Sequence, residues 1–265
     1  MALPFFQYFT QANAEPNEYA SSAWPGLTIS AHERHIRAAI PNRVSAISSA
    51  VYGGGMIELD RIFNIYVDRH YRCDDPPRDI ADLLSGWEER TTACAGLLTA
   101  VKLEHTSVQE YVGHEAGILC CTTAGVSNAA RAGSARTVFD AAGNITSSEG
   151  IAADSPYTPG TINIMLWING RMTPGAMVNA VQTAVEAKTA ALSDCGVMDA
   201  ENGLTATGTT TDAIVLATSQ VEGKPLISYA GTATVIGAGI GRVVYDAVTE
   251  SLQAGQAWKE RNSKR

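Results

Sequence analysis

The chain has 265 residues, a formal net charge of −8 and a sequence pI near 5.1. Hydrophobic residues make up 45% of it and charged residues 17%, a composition that supports a packed core and excludes a disordered chain. Because no stretch gathers enough Lys or Arg to neutralise a run of phosphates, we expect no nucleic-acid partner.

Targeting and membrane signals are weak. No basic residue precedes the apolar N-terminal stretch, which Pro4 interrupts, so it makes a poor signal peptide. No window reaches the roughly 18 apolar residues that a membrane span needs. The five cysteines form no C-x-x-C pair, and Cys120 and Cys121 lie in an apolar run, so we interpret them as reduced and structural. These features predict a cytoplasmic protein without a membrane partner.

The first half of the chain predicts mostly strands. We treat residues 1–26 as an N-terminal extension and residues 27–265 as one domain. Residues 27–40 and 44–67 predict two hairpins separated at Pro41-Asn42, the second turning at the three glycines of positions 53–55. A helix is predicted from residue 80 to 87, and a strand-rich block from 108 to 123.

The second half alternates strands and helices. Residues 131–160 form the longest candidate loop, and 162–168 predict a strand buried on both faces. Thr173-Pro174 predicts the start of a helix that ends near Asp194, and residues 213–217 predict another strand. A last helix is predicted before the polar tail at 258–265. The fold class is α/β or α+β, a mixed β-sheet sandwich with packed helices.

Seven segments, taken in order, resemble one family. They are Ser48-Ser-Ala-Val-Tyr-Gly-Gly-Gly55, Ala124-Gly-Val-Ser-Asn-Ala129, Gly160-Thr-Ile-Asn163, Pro174-Gly-Ala-Met-Val-Asn-Ala180, Thr183-Ala-Val-Glu-Ala-Lys-Thr-Ala190, Ala206-Thr-Gly-Thr-Thr-Thr-Asp212, and Tyr229-Ala-Gly-Thr232 with Gly237 and Gly241. In content and order they resemble the adenosylcobinamide amidohydrolases, over roughly residues 27–255. Two positions depart from the pattern: Thr210 stands where glycine is expected, and Tyr52 where asparagine is common.

The resemblance implies hydrolysis of the amide that links the aminopropanol arm to the corrin of adenosylcobinamide. The product is then adenosylcobyric acid, for cobalamin salvage. Two other interpretations stay open: a corrinoid-binding protein that does not hydrolyse its ligand, and a hydrolase of another amide. The expected partner is a small-molecule corrinoid, and a homo-oligomer is left open.

Glu186 is the leading candidate for a general base. Asn179, Thr183 and Glu186 fall on one face of the helix that begins at Pro174, while valines and alanines occupy the other faces. We expect this helix to be largely buried and its polar stripe to line a cleft, with Thr183 and Asn179 binding substrate. Partial burial would raise the pKa of Glu186 into a useful range. The alternative is that Glu186 only pairs with a cation.

Other candidates lie at the ends of predicted strands. Asp212 and Asn128 complete the catalytic set, although Asp212 equally fits a residue that caps its own turn. The predicted substrate-binding residues are Ser48, Ser49, Ser127, Asn163, Asn179, Thr183, Thr207, Thr209 and Thr211. The asparagines suit amide donors to an oxyanion or to corrin side chains, and the three threonines of 207–211 fit a tight turn equally well.

We expect no protein-bound metal or cofactor, and cobalt enters only with the corrinoid substrate. His32 and His35 are expected at the surface rather than as ligands. None of the five histidines lies in a resembling segment, so no base stands beside a serine. A water molecule activated by a carboxylate is the simpler nucleophile.

Overall fold

The structure is a computed structural model that describes residues 3–11, 15, 17–140, 145–147 and 160–263. Its helices are α1 (Phe6–Thr10), α2 (Pro76–Gly86), α3 (Pro174–Asp194) and α4 (Val235–Ser263). The longer strands are β2 (Thr28–His32), β3 (His35–Ser48), β4 (Gly55–Tyr66), β5 (Cys94–Thr99), β6 (Ser107–Val112), β7 (Gly117–Ala124), β11 (Ile162–Asn169) and β14 (Ala213–Thr218). The short ones are β1 (Glu18–Ala20), β8 (Ala129–Ala130), β9 (Thr137–Phe139), β10 (Ile145–Ser147), β12 (Arg171–Met172), β13 (Gly208–Thr209) and β15 (Leu226–Ile227).

One mixed sheet of nine strands organises the fold. Its main path runs β1-β2-β3-β14-β11-β7-β6, and β4 and β5 extend from the other edge of β3. β11 pairs parallel with β14 and β4 pairs parallel with β5, while the other pairs of this sheet are antiparallel. β3 is therefore a branch point, since its first half pairs with β2 and its second half with β14.

β3 corrects the predicted break at Pro41-Asn42. The strand continues through both residues, with a register shift against β4 between Ala39 and Val44. β2 pairs with residues 35–39 and β14 with residues 45–48, so the proline lies between two ladders, where its missing N–H costs no hydrogen bond. The predicted turn of the following hairpin is confirmed, since Gly53 and Gly55 adopt φ of +71° and +97°.

Alternating side chains of β7, β11 and β14 separate two cores. One face packs on α3 and α4, as Ile164 and Leu166 show, and the other packs on β4 and β5 through Met165 and Trp167. α2 covers the outer side of β4 and β5, where Ile80 and Leu84 contact Phe63. Helices thus flank two stacked parts of one curled sheet, which confirms the predicted mixed sandwich with packed helices.

The helix boundaries agree with the predicted signals at α3 and differ from the predictions at α2 and α4. The Thr173 hydroxyl accepts from Ala176 N at 3.1 Å to cap α3, and Gly196 follows its end with φ +66°. α2 begins earlier than predicted because Asp75 caps it and Pro76 occupies its first turn. α4 runs to Ser263, so the expected separation of the polar tail from the helix is wrong. Among the described helices, none has an apolar stretch long enough to cross a membrane.

Two regions for which no helix or strand was predicted contribute strands. β1, within residues 1–26, pairs with β2, and Phe5 and Trp24 are buried in the core. Within the candidate loop 131–160, β9 and β10 form a small antiparallel pair. Positions 141–144 and 148–159 of that loop lie outside the described residues.

Two buried histidines are expected to make stability fall in mild acid. His35 is 6% exposed, which corrects its expected surface position, and His105 is 4% exposed. Burial, with His32 nearby, lowers the pKa of His35 to about 3, and burial with Lys102 lowers that of His105 to about 4. Both stay neutral in the fold while the unfolded chain takes up protons below about pH 6.5, so stability is lost as pH falls.

We expect the free energy of unfolding to drop by up to about 4 kcal/mol between pH 7 and pH 5, about 2 kcal/mol from each histidine. Carboxylates contribute little in this window, because the pKa values of Asp60, Glu89 and Asp199 are lowered and these groups gain protons on unfolding only at lower pH. Urea unfolding of the wild type and of His105→Phe at both pH values is the measurement. A wild type equally stable at pH 7 and pH 5 would contradict the assignment.

Candidate active site

A cavity of about 130 Å³ opens where β11 and β14 begin, and we call it the sheet-end cavity. Its lining residues are Val51, Val67, Asp68, Tyr71, Cys73, Pro76, Leu97, Leu98, Thr99, Ala100, Gly160, Thr161, Asn163, Thr211 and Ala213. Because β11 and β14 are parallel and in register from Asn163 and Ala213, their first residues lie side by side. The segment between β4 and α2 forms the opposite wall.

Asn163 is the central polar side chain of this cavity. It is 2% exposed, and its Nδ2 donates to Asn64 Oδ1 and to Leu98 O, both at 2.8 Å. Asn64 Nδ2 in turn donates to Thr123 Oγ1 at 2.9 Å. Since both amide hydrogens of Asn163 are used, the side chain offers a ligand its Oδ1, whose contact with Thr161 Oγ1 is long at 3.5 Å. The predicted role of Asn163 as an amide donor therefore does not fit this geometry.

Two threonines fasten the starts of β11 and β14 together. Thr161 Oγ1 donates to Thr211 O at 2.8 Å, and Thr211 Oγ1 donates to Gly160 O at 2.7 Å. These reciprocal bonds fix the wall of the cavity on which Asn163 lies. Thr211, predicted to bind substrate, is exposed and lines the cavity.

Asp212 joins three elements behind this wall. Its carboxylate accepts from Ile162 N at 3.1 Å, from Thr209 N at 3.1 Å and from Thr209 Oγ1 at 2.5 Å, and it pairs with Lys188 Nζ of α3. Asp212 therefore caps its own turn, which is the alternative to a catalytic role that the sequence also allowed. A carboxylate with four donors has no lone pair left to take a proton from water, so Asp212 is poorly placed as a base.

Glycines are required where the turns approach these side chains. A Cβ at Gly208 would lie 2.6 Å from Asp212 Oδ2 and 2.7 Å from Lys188 Nζ. A Cβ at Gly160 would lie 2.3 Å from Asn128 Oδ1 and 2.9 Å from Ser127 N. The resembling Gly-Thr and Thr-Gly-Thr segments thus have a packing reason for their glycines.

Asn128 lies beside the cavity wall rather than in the cavity lining. Its Nδ2 donates to Thr210 Oγ1 at 2.6 Å, so the threonine that departs from the expected glycine holds the asparagine in place. Its Oδ1 is buried without a hydrogen-bond partner among the described residues. The second amide hydrogen of Asn128 makes no hydrogen bond to the described residues, while its buried Oδ1 packs against Gly160.

Two of the candidate serines, Ser48 and Ser49, and Thr207 make hydrogen bonds to the backbone. Ser49 Oγ accepts from Ile214 N at 3.0 Å and Ser48 Oγ accepts from Ala50 N at 3.1 Å, while Ser127 is exposed in the turn after β7. Thr207 Oγ1 accepts from Ala132 N at 2.9 Å. In the described hydrogen bonds no histidine contacts Ser48, Ser49 or Ser127, so none of them has an activating imidazole.

The predicted helical stripe lies elsewhere, in a groove of about 570 Å³ between α3 and α4. Thr183 and Glu186 line this α3–α4 groove with Arg242 and Tyr245. Glu186 is exposed, and Val185 is 41% exposed, so the prediction that this helix is buried on two faces is wrong. The helix buries its alanine face instead, because small side chains allow close packing against α4 and the sheet.

The α3 candidates are thus separated from those at the sheet end. Thr183 Oγ1 donates to Ala230 O at 2.9 Å, and Asn179 Nδ2 donates to Gln182 on the helix surface at 2.9 Å. Glu186 and Lys188 are two residues apart, which places them on nearly opposite sides of α3. Lys188 is the residue of this helix that pairs with Asp212 at the sheet end.

Three residues at or beside the sheet-end cavity were not predicted from the sequence. Lys188 continues the alanine face formed by Ala180 and Ala184, and a lysine on a buried face was a signal for a paired charge. Asn64 lies inside an otherwise apolar part of β4, as Asn163 does in β11. Asp68 follows β4 with no motif around it, so only the fold identifies it.

The chemistry available here is that of amides, hydroxyls and one carboxylate in a small, mostly apolar cavity. Among the described residues, no three His, Cys, Asp or Glu side chains come together as metal ligands. The buried amide network can orient a polar group of a ligand, and the exposed mouth gives water access.

The family model and two curated relatives that match this chain carry the same description. Residues 22–260 match the family model described as adenosylcobinamide amidohydrolase. An adenosylcobinamide amidohydrolase of Methanosarcina mazei is 31% identical over 219 residues, covering 79% of this chain and 88% of that protein. One of Halobacterium salinarum is 30% identical over 212 residues, covering 79% and 80%. An uncharacterized protein of Methanocaldococcus jannaschii is 38% identical over 94 residues, covering 35% and 36%.

Proposed function

This chain belongs to the adenosylcobinamide amidohydrolase family, enzymes that act on a non-peptide carbon–nitrogen bond, and we propose that it releases the aminopropanol arm from adenosylcobinamide. The product is adenosylcobyric acid, which re-enters cobalamin synthesis by salvage. Water is added across the amide bond, so that the corrin side chain gains a carboxylate and the arm leaves as a free amine.

The single observation that carries the site assignment is the convergence of separate resembling segments on the sheet-end cavity. Gly160, Thr161 and Asn163 come from one segment and Thr211 from another, and all four line the cavity. Pockets for whole drug-sized ligands measure about 300–1,000 Å³, so a cavity of about 130 Å³ suits one side arm rather than a macrocycle. The corrin ring then stays outside the mouth while its amide arm enters.

Asn163 supports recognition of such an arm. Both Nδ2 hydrogens of Asn163 are committed to Asn64 and Leu98, so the side chain meets a ligand as an acceptor. Its Oδ1 can accept from an amide N–H or from the hydroxyl of aminopropanol. Apolar walls from Leu97, Leu98 and Ala213 match the methylene and methyl groups of the arm. A buried acceptor without this donor would pay a desolvation cost, which favours substrates that carry an N–H or O–H there.

We propose further that hydrolysis needs no dissociable metal or cofactor. The cobalt of the reaction belongs to the corrinoid substrate. The support is the chemistry of the lining, where amides, hydroxyls and one carboxylate can orient the amide and activate water.

The test is incubation of purified protein with adenosylcobinamide, followed by mass spectrometry of the corrinoid and of the amine. We expect adenosylcobyric acid and aminopropanol in equal amounts, formed equally fast after dialysis against a strong chelator. Unchanged adenosylcobinamide that stays bound would identify a binding protein instead. Turnover that disappears with the chelator and returns with zinc or manganese would overturn the metal-free mechanism.

A further inference from the structure

Asp68 occupies the wall of the sheet-end cavity that faces the strand ends. Val67 N donates to Thr99 O at 2.8 Å, which ties the chain before Asp68 to the end of β5. Asp68 Oδ1 accepts from His70 N at 2.9 Å, and Tyr71 N donates to Asp68 O at 2.9 Å, so a tight turn fixes the side chain. No hydrogen bond is made by Oδ2 to the described residues, which leaves it for a water molecule or a ligand.

Asp68 is the one carboxylate among the described lining residues of this cavity. The other titratable lining groups are Tyr71 and Cys73. The Tyr71 hydroxyl is engaged with the carboxylate of Asp79. Partial desolvation raises the pKa of Tyr71 and of the solvent-exposed Cys73 thiol, and Asp79 adds to each shift, so neither is a proton acceptor near neutral pH.

The neighbouring carboxylate behind the wall is excluded by its contacts. Asp212 is held by Lys188 and by three further donors, and its two oxygens are occupied. A general base must hold a water molecule by a free lone pair within hydrogen-bond reach of the scissile carbon. Asp68 is the lining carboxylate with such a lone pair, whereas the free Oδ1 of Asn163 belongs to a neutral amide that does not take a proton from water.

We propose that Asp68 is the catalytic carboxylate of the proposed amide hydrolysis, an inference that rests on that function. Its carboxylate takes a proton from water as the water oxygen attacks the carbonyl carbon of the scissile amide. The C–N bond of the tetrahedral intermediate then breaks, and the carboxylic acid returns the proton to the departing nitrogen. One water molecule is consumed, the acyl carbon keeps its OH, and the amine leaves as free aminopropanol.

The experiment compares Asp68→Asn with Asp74→Asn, which removes the same charge from the same segment outside the cavity lining. General-base assistance is worth roughly 10²- to 10⁴-fold, so we expect kcat to fall by that factor in Asp68→Asn, with an unchanged melting temperature and a similar Kd for adenosylcobinamide. Asp74→Asn should stay within about threefold of the wild type. Asp68→Ala should regain turnover with added formate, whereas a merely structural residue would show no such rescue.

The outcomes separate this inference from the proposed function. A wild type that releases adenosylcobyric acid while Asp68→Asn keeps its kcat would overturn the role of Asp68 and leave the function standing. A hundredfold loss in Glu186→Gln with normal turnover in Asp68→Asn would move catalysis to the α3–α4 groove. If the Asp68→Asn variant misfolds, formate rescue of Asp68→Ala decides the matter, and absence of rescue in a folded Ala variant counts against the proposal.

Discussion

Replacing Lys188 with methionine is expected to lower the free energy of unfolding by about 3 kcal/mol. The Lys188 side chain is 8% exposed, and its ammonium is the counter-charge of Asp212, which is 18% exposed. Removing one partner of a nearly buried pair leaves the other charge without compensation. Methionine has a similar length, so lost packing adds little, and the remaining donors from Thr209 and Ile162 keep the cost near the lower end of the range.

Urea unfolding measures this change, with Lys259→Met as the control because Lys259 is exposed on α4. The double variant Lys188→Met with Asp212→Asn should be more stable than Lys188→Met alone, since it no longer buries an unpaired charge. A loss below about 1 kcal/mol in Lys188→Met would mean that the pair is a surface contact of the ordinary kind.

Replacing Asn163 with leucine is expected to lower kcat/KM by about 100-fold. The substitution removes the acceptor offered to the substrate arm and leaves Asn64 Oδ1 and Leu98 O without their donor. Each orphaned buried acceptor costs about 1–3 kcal/mol, so the cavity wall is expected to shift, and a displacement near 1 Å in the bound geometry costs about 10² in rate.

Steady-state kinetics with adenosylcobinamide test this, at a temperature where circular dichroism shows the variant folded. Asn262→Leu at the exposed end of α4 is the matched control. If Asn163→Leu turns over within about threefold of the wild type, the sheet-end cavity does not hold the scissile arm.

Much of the fold was accessible from sequence because local signals agreed with the tertiary structure. β11 was predicted from an apolar run, and the start of α3 from Thr173-Pro174. The Pro41-Asn42 break failed because the chain passes there from one strand partner to the next, and no local pattern reports a change of partner. A proline normally disrupts a strand because it cannot donate a backbone hydrogen bond. Pro41 lies between the residues that pair with β2 and those that pair with β14, so no hydrogen bond is lost there.

The candidate site was harder to predict because its members meet across layers. Asn64 and Asn163 are 99 positions apart and come together only because β4 folds over β11. Helical spacing correctly placed Glu186 and Thr183 on one face of α3. It could not show which faces of the helix are buried, because an exposed valine and a core valine look the same in sequence. Val178, which lies on a face predicted to be buried, is 48% exposed.

Occupation of the sheet-end cavity by substrate is measurable through a thiol that the protein already carries. Cys73 is exposed and lines the cavity, Cys195 is partly exposed at the end of α3, and the other three cysteines are buried. Maleimide labelling followed by peptide mass spectrometry therefore gives separate rates for Cys73 and Cys195.

The rate at Cys73 before turnover, with and without adenosylcobinamide at about ten times its Kd, tests the location of the chemistry most directly. About nine-tenths of the protein is then occupied, so the rate at Cys73 is predicted to fall about tenfold while that at Cys195 stays the same. An unchanged rate at Cys73 with bound corrinoid would contradict placement of the scissile arm in this cavity.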